Sequence, residues 1–383
     1  MNADTWERRL FLAAHPVAYP LLRGLAAAGP VVRVPGVGVV VNDAAVARDV
    51  LLDGATFRKD GPGSPGDLWT PVLGPSVLLN MEGDAHRELR RKLAGLFTPA
   101  NTAELCGRVL AGPLAELAAR LRAGAEVDVV AAAKAAAGAV IAAVIGLDGA
   151  DHRRLYAEGE RITALVSLRT RRLTPAQVAR ARAVLAPLGD AAAAAYAAGD
   201  ERTVMGRMRA LGLSAAEARG AAGAFFLTGT ETVATLLPRL VALLHDSGTL
   251  DAVARDRALL DGAIDEAMRV TTPTPVMLRS VHRPAAVAGT RVTPGDRIVI
   301  ATHTCCRAAG PFAPARPAAP ELRRLWFGAG PHFCLGYPLA LAEVRAVAGT
   351  LLDAAPLTVT GRAAARRVLL PAYRRLTVRR ETP

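Results

Sequence analysis

The chain has 383 residues, 51% of them hydrophobic and 21% charged, which is enough apolar material for a sizeable core and excludes a disordered protein. Its formal charge is +13, and Lys59, Lys92 and Lys134 are the only lysines beside many arginines. Arginine-rich usage often reflects genome composition, but a basic face can also attract an acidic protein partner. No basic run is interleaved with aromatic residues and no zinc-finger spacing occurs, so we expect no nucleic-acid binding.

The cysteines and the N-terminal region indicate the compartment. Four cysteines, too few and too irregularly spaced for a disulfide framework, occur at positions 106, 305, 306 and 334. The chain does not open with the charged and then apolar segments of a secretory signal. The apolar stretch 10–28 is broken by two prolines, a histidine and an arginine, which does not suit a membrane span. We therefore expect a cytoplasmic protein without a membrane anchor.

The composition favours helix over sheet, because Ala, Leu, Arg and Val dominate while aromatic residues make up 4%. From the N-terminus, the run 31–43 predicts a β-hairpin around Pro35 and Gly36, and residues 44–52 predict a short amphipathic helix. The stretch 57–80 is rich in glycine and proline but also carries large apolar side chains, which predicts a binding loop.

Helical patterns then run almost without a break from 84 to 270. Within them, segment 127–147 is nearly long enough to span a membrane, but its lysine and many alanines favour a helix buried in a bundle. Beyond Pro273, short strand patterns alternate with turns, and a last helix and a β-like tail follow. We predict one mainly α domain, 1–383. Its β-rich region comprises 30–60 and 274–303, and its helical body is 84–270. The cysteine loop is 327–336, and the helix that follows it is 338–352.

The stretch FGAGPHFCLG, Phe327 to Gly336, sets one cysteine among three glycines. A lone cysteine is usually a small buried apolar residue. A cysteine that acts as a thiolate ligand instead needs backbone N–H groups around its sulfur, and glycines allow the chain to curl that tightly. A helix with Pro338 in its first turn follows Cys334, and a helix N-terminus lowers a thiol pKa.

This stretch resembles the haem-binding loop of the cytochrome P450 family, in which a Phe, two glycines, a basic residue and the Cys recur at these offsets. The resemblance extends over essentially the whole chain and implies the cytochrome P450 fold, with haem b as the cofactor. It makes Cys334 the axial ligand of the haem iron. It also assigns Phe327, Gly328 and Gly336 to the loop that binds the haem.

The segment DEAMRV holds Glu266 and Arg269 three residues apart on a predicted helix. By itself this spacing indicates no more than a surface ion pair. The resemblance implies that the two residues are the family's structural Glu-Arg pair. Arg316, in the segment FAPAR, is the candidate third member of that group.

The segment AFFLTGTETVATLLPRL, from Ala224 to Leu240, is an apolar helix with polar residues and a glycine in its middle, which cost helix stability. An ordinary surface face would explain them, although the flanking apolar residues favour burial. The resemblance places this helix over the haem. It implies that Gly229 leaves room for dioxygen and that Glu231 and Thr232 form an acid-alcohol pair that delivers protons.

In MEGDAHRELRRKL, His86 and Arg90 lie one helical turn apart, a spacing that solvated surface residues also show. The resemblance implies that they bind the haem propionates with Arg279 and His332, so that four cationic groups face two carboxylates. Neighbouring basic residues are implied to form a dock for an acidic electron-transfer protein. These residues are Arg87, Arg91, Lys92, Arg323 and Arg324.

The resemblance also implies a function. We interpret the chain as a soluble, monomeric, bacterial-type monooxygenase of secondary metabolism or catabolism. It would insert one oxygen atom into a small or medium apolar molecule, with electrons from NAD(P)H through a reductase and a ferredoxin-like protein. Peroxide-driven oxidation or oxidative coupling is the alternative, and a non-catalytic haem protein is a third. The implied substrate pocket is lined by Trp69, Leu73, Phe225, Thr228, Val276 and Met277.

His303, Cys305 and Cys306 also suggest a metal site, because these residue types bind zinc. Zinc normally takes four ligands from spaced pairs, and no second pair accompanies them in the sequence. We therefore expect a cysteine pair that ends a strand inside the core.

Overall fold

A computed structural model describes residues 3–147, 152–166, 170–316 and 319–381. In these residues the helices are α1 (Ala3–Ala14), α2 (Ala18–Ala28), α3 (Ala44–Leu52), α4 (Pro65–Leu73), α5 (Gly83–Ala94), α6 (Pro99–Arg122), α7 (Val129–Ile145), α8 (His152–Thr163), α9 (Pro175–Ala198), α10 (Val204–Ala210), α11 (Ala215–Asp246), α12 (Leu250–Arg255), α13 (Leu260–Thr271), α14 (Thr302–Arg307) and α15 (Tyr337–Leu352). The strands are β1 (Val31–Val34), β2 (Gly38–Val41), β3 (Phe57–Arg58), β4 (Val127–Asp128), β5 (Met277–Val281), β6 (Ala285–Val287), β7 (Thr290–Val292), β8 (Arg297–Ile300), β9 (Leu357–Ala364) and β10 (Tyr373–Arg380).

The helical body is built around α11, which packs against α7, α9, α13 and α15. Its N-terminus is a capping box, in which Ser214 and Glu217 satisfy each other's backbone N–H groups. By length and composition α11 could cross a membrane, but 72% of its most apolar window is buried inside the protein. Helix α7 is buried along most of its length, as predicted, because its alanines let the neighbouring helices approach closely.

A five-stranded sheet joins the two ends of the chain. Its order is β1-β2-β8-β5-β3, so the N-terminal hairpin pairs with strands that follow α13. Strand β2 runs parallel to β8, with Val39 beside Ile298, whereas the other neighbours are antiparallel. The predicted hairpin and the β region drawn from both ends are therefore confirmed. The smaller sheets are β4-β10-β9 and β6-β7.

Two local predictions were wrong. The stretch 57–80 is not one open loop, since it contains α4, whose N-cap Ser64 accepts a hydrogen bond from the Asp67 N–H. The prolines of this stretch predicted a loop, although Pro65 in the first turn is typical of a helix N-terminus. Cys305 and Cys306 are buried in the core as expected, but they lie in α14 and not at the end of a strand.

Glu343 of α15 is a buried acid in the core. It is 2% exposed, and its Oε1 has no hydrogen-bond partner within the described part of the chain. Burial raises the pKa of its carboxyl from 4.5 to about 8. The folded protein therefore keeps a proton that the unfolded chain loses above pH 4.5. Glu343 consequently makes stability fall as the pH rises from 4.5 to about 8.

We expect Glu343→Gln to become more stable than the wild type as the pH rises from 4.5 to about 8, because glutamine does not titrate. The difference between their free energies of unfolding should grow by about 1.4 kcal/mol per pH unit. Urea unfolding at one pH near each end of the range measures the difference. The exposed Glu88→Gln is the control, and its stability should follow the wild type at both pH values. If the difference in free energy of unfolding between Glu343→Gln and the wild type does not change with pH, the titration of Glu343 is not its cause.

Candidate active site

The cysteine loop is closed by its own backbone. The Cys334 N–H donates to the Phe327 carbonyl oxygen at 2.9 Å. Gly328 and Gly330 adopt φ angles of 81° and 63°, where a side chain would be strained. At Gly330 a Cβ would also lie 2.5 Å from the carbonyl oxygen of Leu51 in α3. These two glycines therefore shape the loop and dock it on α3.

The Cys334 side chain is accessible although protein surrounds it. Burial raises the pKa of its thiol, while the N–H groups of Gly336 and Tyr337 and the charges of Lys59 and Arg90 act to lower it. Backbone N–H groups at the start of α15 therefore face the sulfur, as predicted. Desolvation outweighs these groups, so the pKa of the thiol lies above its ordinary value. A metal ion that binds the sulfur displaces the proton.

The residues assigned to the propionates gather beside this loop. The ring centroids of His86 in α5 and His332 lie 4.2 Å apart. Arg90 donates from Nη2 to the Phe333 carbonyl oxygen at 2.7 Å. Arg279 on β5 is 3% exposed, and burial lowers the pKa of its guanidinium to about 10. The structure thus brings the four predicted residues into one region.

The two histidines are not the cations that the sequence predicts. Burial lowers the pKa of His86 and of His332 to about 4, so both imidazoles are neutral at neutral pH. His332 Nε2 lies 3.0 Å from Glu82 Oε1. His86 Nε2 is buried and has no hydrogen-bond partner among the residues that the structure describes. A neutral imidazole can still donate an N–H to a carboxylate.

Two residues that sequence reasoning missed belong to the same cluster. Burial, followed by the charge of Arg279, lowers the pKa of the Lys59 ammonium to about 7. The side chain of Glu82 is 4% exposed and accepts a hydrogen bond from the Lys59 backbone N–H. The sequence offers one indication of each residue. Lys59 is one of only three lysines in an arginine-rich chain, and Glu82 directly precedes α5, which carries His86 and Arg90.

A buried ion pair fixes the segment that precedes the cysteine loop. Glu266 accepts hydrogen bonds from Arg269 Nε and Nη2 at 2.7 and 2.8 Å, and Arg316 Nε lies 3.4 Å from Glu266 Oε1. Arg269 also donates to the carbonyl oxygens of Cys306 at 2.6 Å and Gly310 at 2.9 Å. The structure therefore brings the three predicted residues together and ties α13 to α14.

The polar middle of α11 carries an acid beside a hydroxyl. Thr228 is exposed although most of the helix is buried, and the Thr232 hydroxyl donates to the Thr228 carbonyl oxygen at 3.2 Å. Glu231 accepts a hydrogen bond from Thr163 Oγ1 at 2.5 Å. Burial raises the pKa of the Glu231 carboxyl to about 7. Such a carboxyl can take up and release protons near neutral pH.

Gly229 faces the neighbouring helix α7. A Cβ at this position would lie 2.9 Å from Ile141 Cδ1, so the glycine lets α11 and α7 approach closely. Sequence reasoning did not anticipate this packing contact. The room that Gly229 leaves for dioxygen stays a prediction.

The predicted pocket residues fall into separate groups. Three of them, partly buried against one apolar cluster, are Trp69, Leu73 and Phe225. Met277 lies beside the cysteine loop, since its Sδ is 3.8 Å from the Cβ position of Gly328. Thr228 stands on the accessible side of α11. Val276 packs against the cluster around Phe11 and Tyr19, so the structure does not group it with Trp69.

The basic residues of the predicted dock differ in their exposure and in their ion pairs. Arg324 donates to the Asp265 carboxylate from Nε at 3.2 Å and from Nη2 at 2.9 Å, and it also donates to the Tyr337 hydroxyl. Arg324 therefore makes contacts within the chain although its side chain is 38% exposed, and its place in the dock stays a prediction. Arg91 and Arg323 are exposed. The remaining two candidates, which pair on the surface of α5 with Asp84 and Glu88, are Arg87 and Lys92.

Known proteins are similar to this chain in sequence. The erythromycin C-12 hydroxylase of Saccharopolyspora erythraea is 30% identical over 318 residues, which cover 78% of this chain and 77% of that protein. The cytochrome P450 family model matches residues 249–359. The chain belongs to the cytochrome P450 family. This P450 is also 27% identical over 376 residues to the cytochrome P-450 monooxygenase DoxA of a Streptomyces species, covering 86% of this chain and 85% of that protein.

The fold of this P450 is similar to that of a mutant of P450 EryK in complex with erythromycin B. The TM-score is 0.83 at 25% identity, over 97% of this chain and 98% of that chain. The predicted mainly α cytochrome P450 fold is therefore confirmed. The protein is an oxidoreductase of the P450 monooxygenase class, as the resemblance implied.

The residues around the cysteine loop suit the haem that the family binds. Cys334 offers an accessible sulfur, and the buried Nε2 of His86 still needs a hydrogen-bond partner. Positive charge comes from Lys59, Arg90 and Arg279, and the carboxylate of Glu82 opposes it. This donor set matches an iron atom with two attached carboxylates.

We expect Gly330→Ala to destabilise the protein by about 1–3 kcal/mol, because its positive φ and the nearby Leu51 carbonyl oxygen both exclude a Cβ. Haem content per chain and the thermal unfolding midpoint should fall together. The matched control is Gly349→Ala in α15, where no atom lies within 4 Å of the Cβ position. If Gly330→Ala and Gly349→Ala have the same haem content and the same unfolding midpoint, the loop does not need a glycine at position 330.

Proposed function

We propose that this P450 binds haem b through Cys334 and inserts one atom of dioxygen into a bulky, largely apolar natural product. The observation that carries the proposal is the accessible Cys334 sulfur, faced by the N–H groups of Gly336 and Tyr337 beside a cluster of buried and half-buried cations. When bound, the haem supplies the activation of dioxygen that makes oxygen transfer possible.

Each part of the cluster has a binding role in this proposal. Cys334 would bind the haem iron, with its negative charge stabilised by the two N–H groups at the start of α15. Arg90 and Arg279 would hold the propionates by charge, and His86 would donate an N–H from its unpartnered Nε2. Lys59 adds a further positive charge at the same place.

Glu231 and Thr232 are the proton-handling residues in this proposal. With a pKa of about 7, the Glu231 carboxyl exists in both protonation states at neutral pH. The Thr232 hydroxyl can accept one proton and pass on another, because a hydroxyl both donates and accepts. A relay of this kind supports oxygen activation driven by electrons, whereas oxidation driven by peroxide does not depend on it.

The proposed substrate class rests on the apolar cluster and on the relatives. Trp69, Leu73 and Phe225 offer aromatic and aliphatic surface for a large apolar molecule. Among the relatives are an erythromycin C-12 hydroxylase and a P450 EryK in complex with erythromycin B. A secondary metabolite of comparable size and polarity is therefore the substrate class that we propose.

We also propose cytoplasmic electron donors for a monomeric enzyme. Electrons would pass from NAD(P)H through a reductase to an acidic, ferredoxin-like protein. The exposed Arg87, Arg91 and Arg323 and the half-buried Lys92 support this proposal, because opposite charges accelerate encounter between partners.

We expect Cys334→Ala to abolish the long-wavelength Soret band that thiolate ligation gives to the reduced, carbon-monoxide-bound protein. Only this cysteine is accessible, because Cys106, Cys305 and Cys306 are buried. The control Cys106→Ala should leave the band unchanged. A wild-type protein without this band, together with a Cys334→Ala variant whose haem spectrum is unaltered, would falsify the assignment.

We expect Glu231→Gln and Thr232→Ala each to raise the hydrogen peroxide released per NAD(P)H consumed, because protons then arrive more slowly. The assay uses surrogate ferredoxin and reductase with a ligand chosen by spectral titration. Thr350→Ala, whose hydroxyl bonds only to the Ala346 carbonyl oxygen among the described residues, is the control. Turnover with added peroxide that equals turnover with NAD(P)H would favour the peroxide-driven alternative.

A further inference from the structure

Glu231 is held by a residue of another helix. The carboxylate oxygen Oε1 accepts a hydrogen bond from Oγ1 of Thr163, the last residue of α8, at 2.5 Å. The two residues are 68 positions apart in the sequence. The contact therefore exists only because α8 packs across α11.

The packing of α8 explains why Thr163 reaches this carboxylate. A Cβ on Gly159 would lie 3.1 Å from Thr230 Oγ1 of α11, so the glycine permits a close approach of the two helices. On the other side, Lys134 of α7 forms an ion pair with Glu160 at 2.6 Å and lies 4.9 Å above the Tyr156 ring. Helix α8 is thus fixed against α7 and α11, one turn before Thr163.

We propose that Thr163 is a positioning residue for Glu231, whose hydroxyl holds the carboxyl group in either protonation state. This inference rests on the proposed role of Glu231 in proton delivery. Thr163 Oγ1 also lies 3.3 Å from the Gly159 carbonyl oxygen and 3.1 Å from that of Glu160. An ionised Glu231 accepts a hydrogen bond from the Thr163 hydroxyl. A protonated Glu231 instead donates to Thr163 Oγ1, which then donates back to a carbonyl oxygen of its own helix.

The groups around Glu231 act on the pKa of its carboxyl in opposite directions, and the Thr163 hydroxyl is one of them. Burial and the negative charge of Glu160 raise the pKa of the Glu231 carboxyl, whereas the Thr163 hydrogen bond and the charge of Lys134 lower it. Tyr156 of α8 also faces this acid, and the charge of Glu231 acts to raise the pKa of its phenol. Without the hydroxyl, the charged form of Glu231 loses a donor, and the balance moves toward the protonated form.

The test is an infrared titration of the Glu231 carboxyl in the haem-loaded protein, with the band assigned by its loss in Glu231→Gln. We expect Thr163→Val to raise the titration midpoint by at least about one pH unit. Thr163→Ser should restore the wild-type midpoint, because serine keeps the hydroxyl. Thr350→Val, which removes a hydroxyl bonded to its own helix in α15, should leave it unchanged. A midpoint in Thr163→Val equal to that of the wild type would overturn the proposal.

A second measurement separates this inference from the proposed function. With surrogate ferredoxin and reductase, Thr163→Val should raise the hydrogen peroxide released per NAD(P)H, and Thr163→Ser should not. If Glu231→Gln raises the peroxide yield but Thr163→Val does not, the positioning role fails and the relay stands. If Glu231→Gln leaves the yield unchanged, the relay itself fails, while the infrared midpoint still decides whether Thr163 holds the carboxyl. Thermal unfolding of each variant verifies that it is folded.

Discussion

The buried carboxylate of Glu266 is the acceptor on which the haem-loop side of the molecule depends. It takes two hydrogen bonds from Arg269, approaches Arg316 and accepts the Ala313 N–H at 2.8 Å. Held in this way, Arg269 also donates to the carbonyl oxygens of Cys306 in α14 and of Gly310 beyond it. Loss of one partner would leave a buried charge, which typically costs about 3–5 kcal/mol. The cysteine loop thus begins from a segment that has little freedom to move.

Desolvation dominates the electrostatics of both halves of the site. Near the loop it raises the pKa of Cys334 and keeps His86 and His332 neutral, so the pocket lacks part of the charge that its composition suggests. In α11 it raises the pKa of Glu231 to about 7. The same physical effect therefore gives a sulfur that needs a metal ion to lose its proton and an acid that exchanges protons near neutrality.

Composition and local patterns predicted a mainly α protein, and the resemblance to the family predicted the cytochrome P450 fold. The spacing of Glu266 and Arg269 predicted only an ion pair, and their burial follows from the packing of α13 against α14. The glycines of the cysteine loop act within a few residues, so the tight loop could be predicted from the sequence. Thr163 could not be predicted, because its partner is reached only through the packing of α8 on α11. Lys59 and Glu82 meet through a backbone contact between neighbouring segments. The neutrality of the histidines depends on burial, which spacing alone does not report.

The scarcity of lysine gives this arginine-rich protein an unusual chemical profile. Amine-selective reagents leave guanidinium groups largely untouched, so side-chain labelling is confined to three positions in three different settings. Lys92 lies on the surface of α5 beside Glu88, Lys134 is engaged with Glu160, and Lys59 lies among the cations near Cys334. Cross-linking mass spectrometry through side-chain amines would thus report mainly on the surroundings of α5. Mapping the rest of the basic surface calls for arginine-directed reagents.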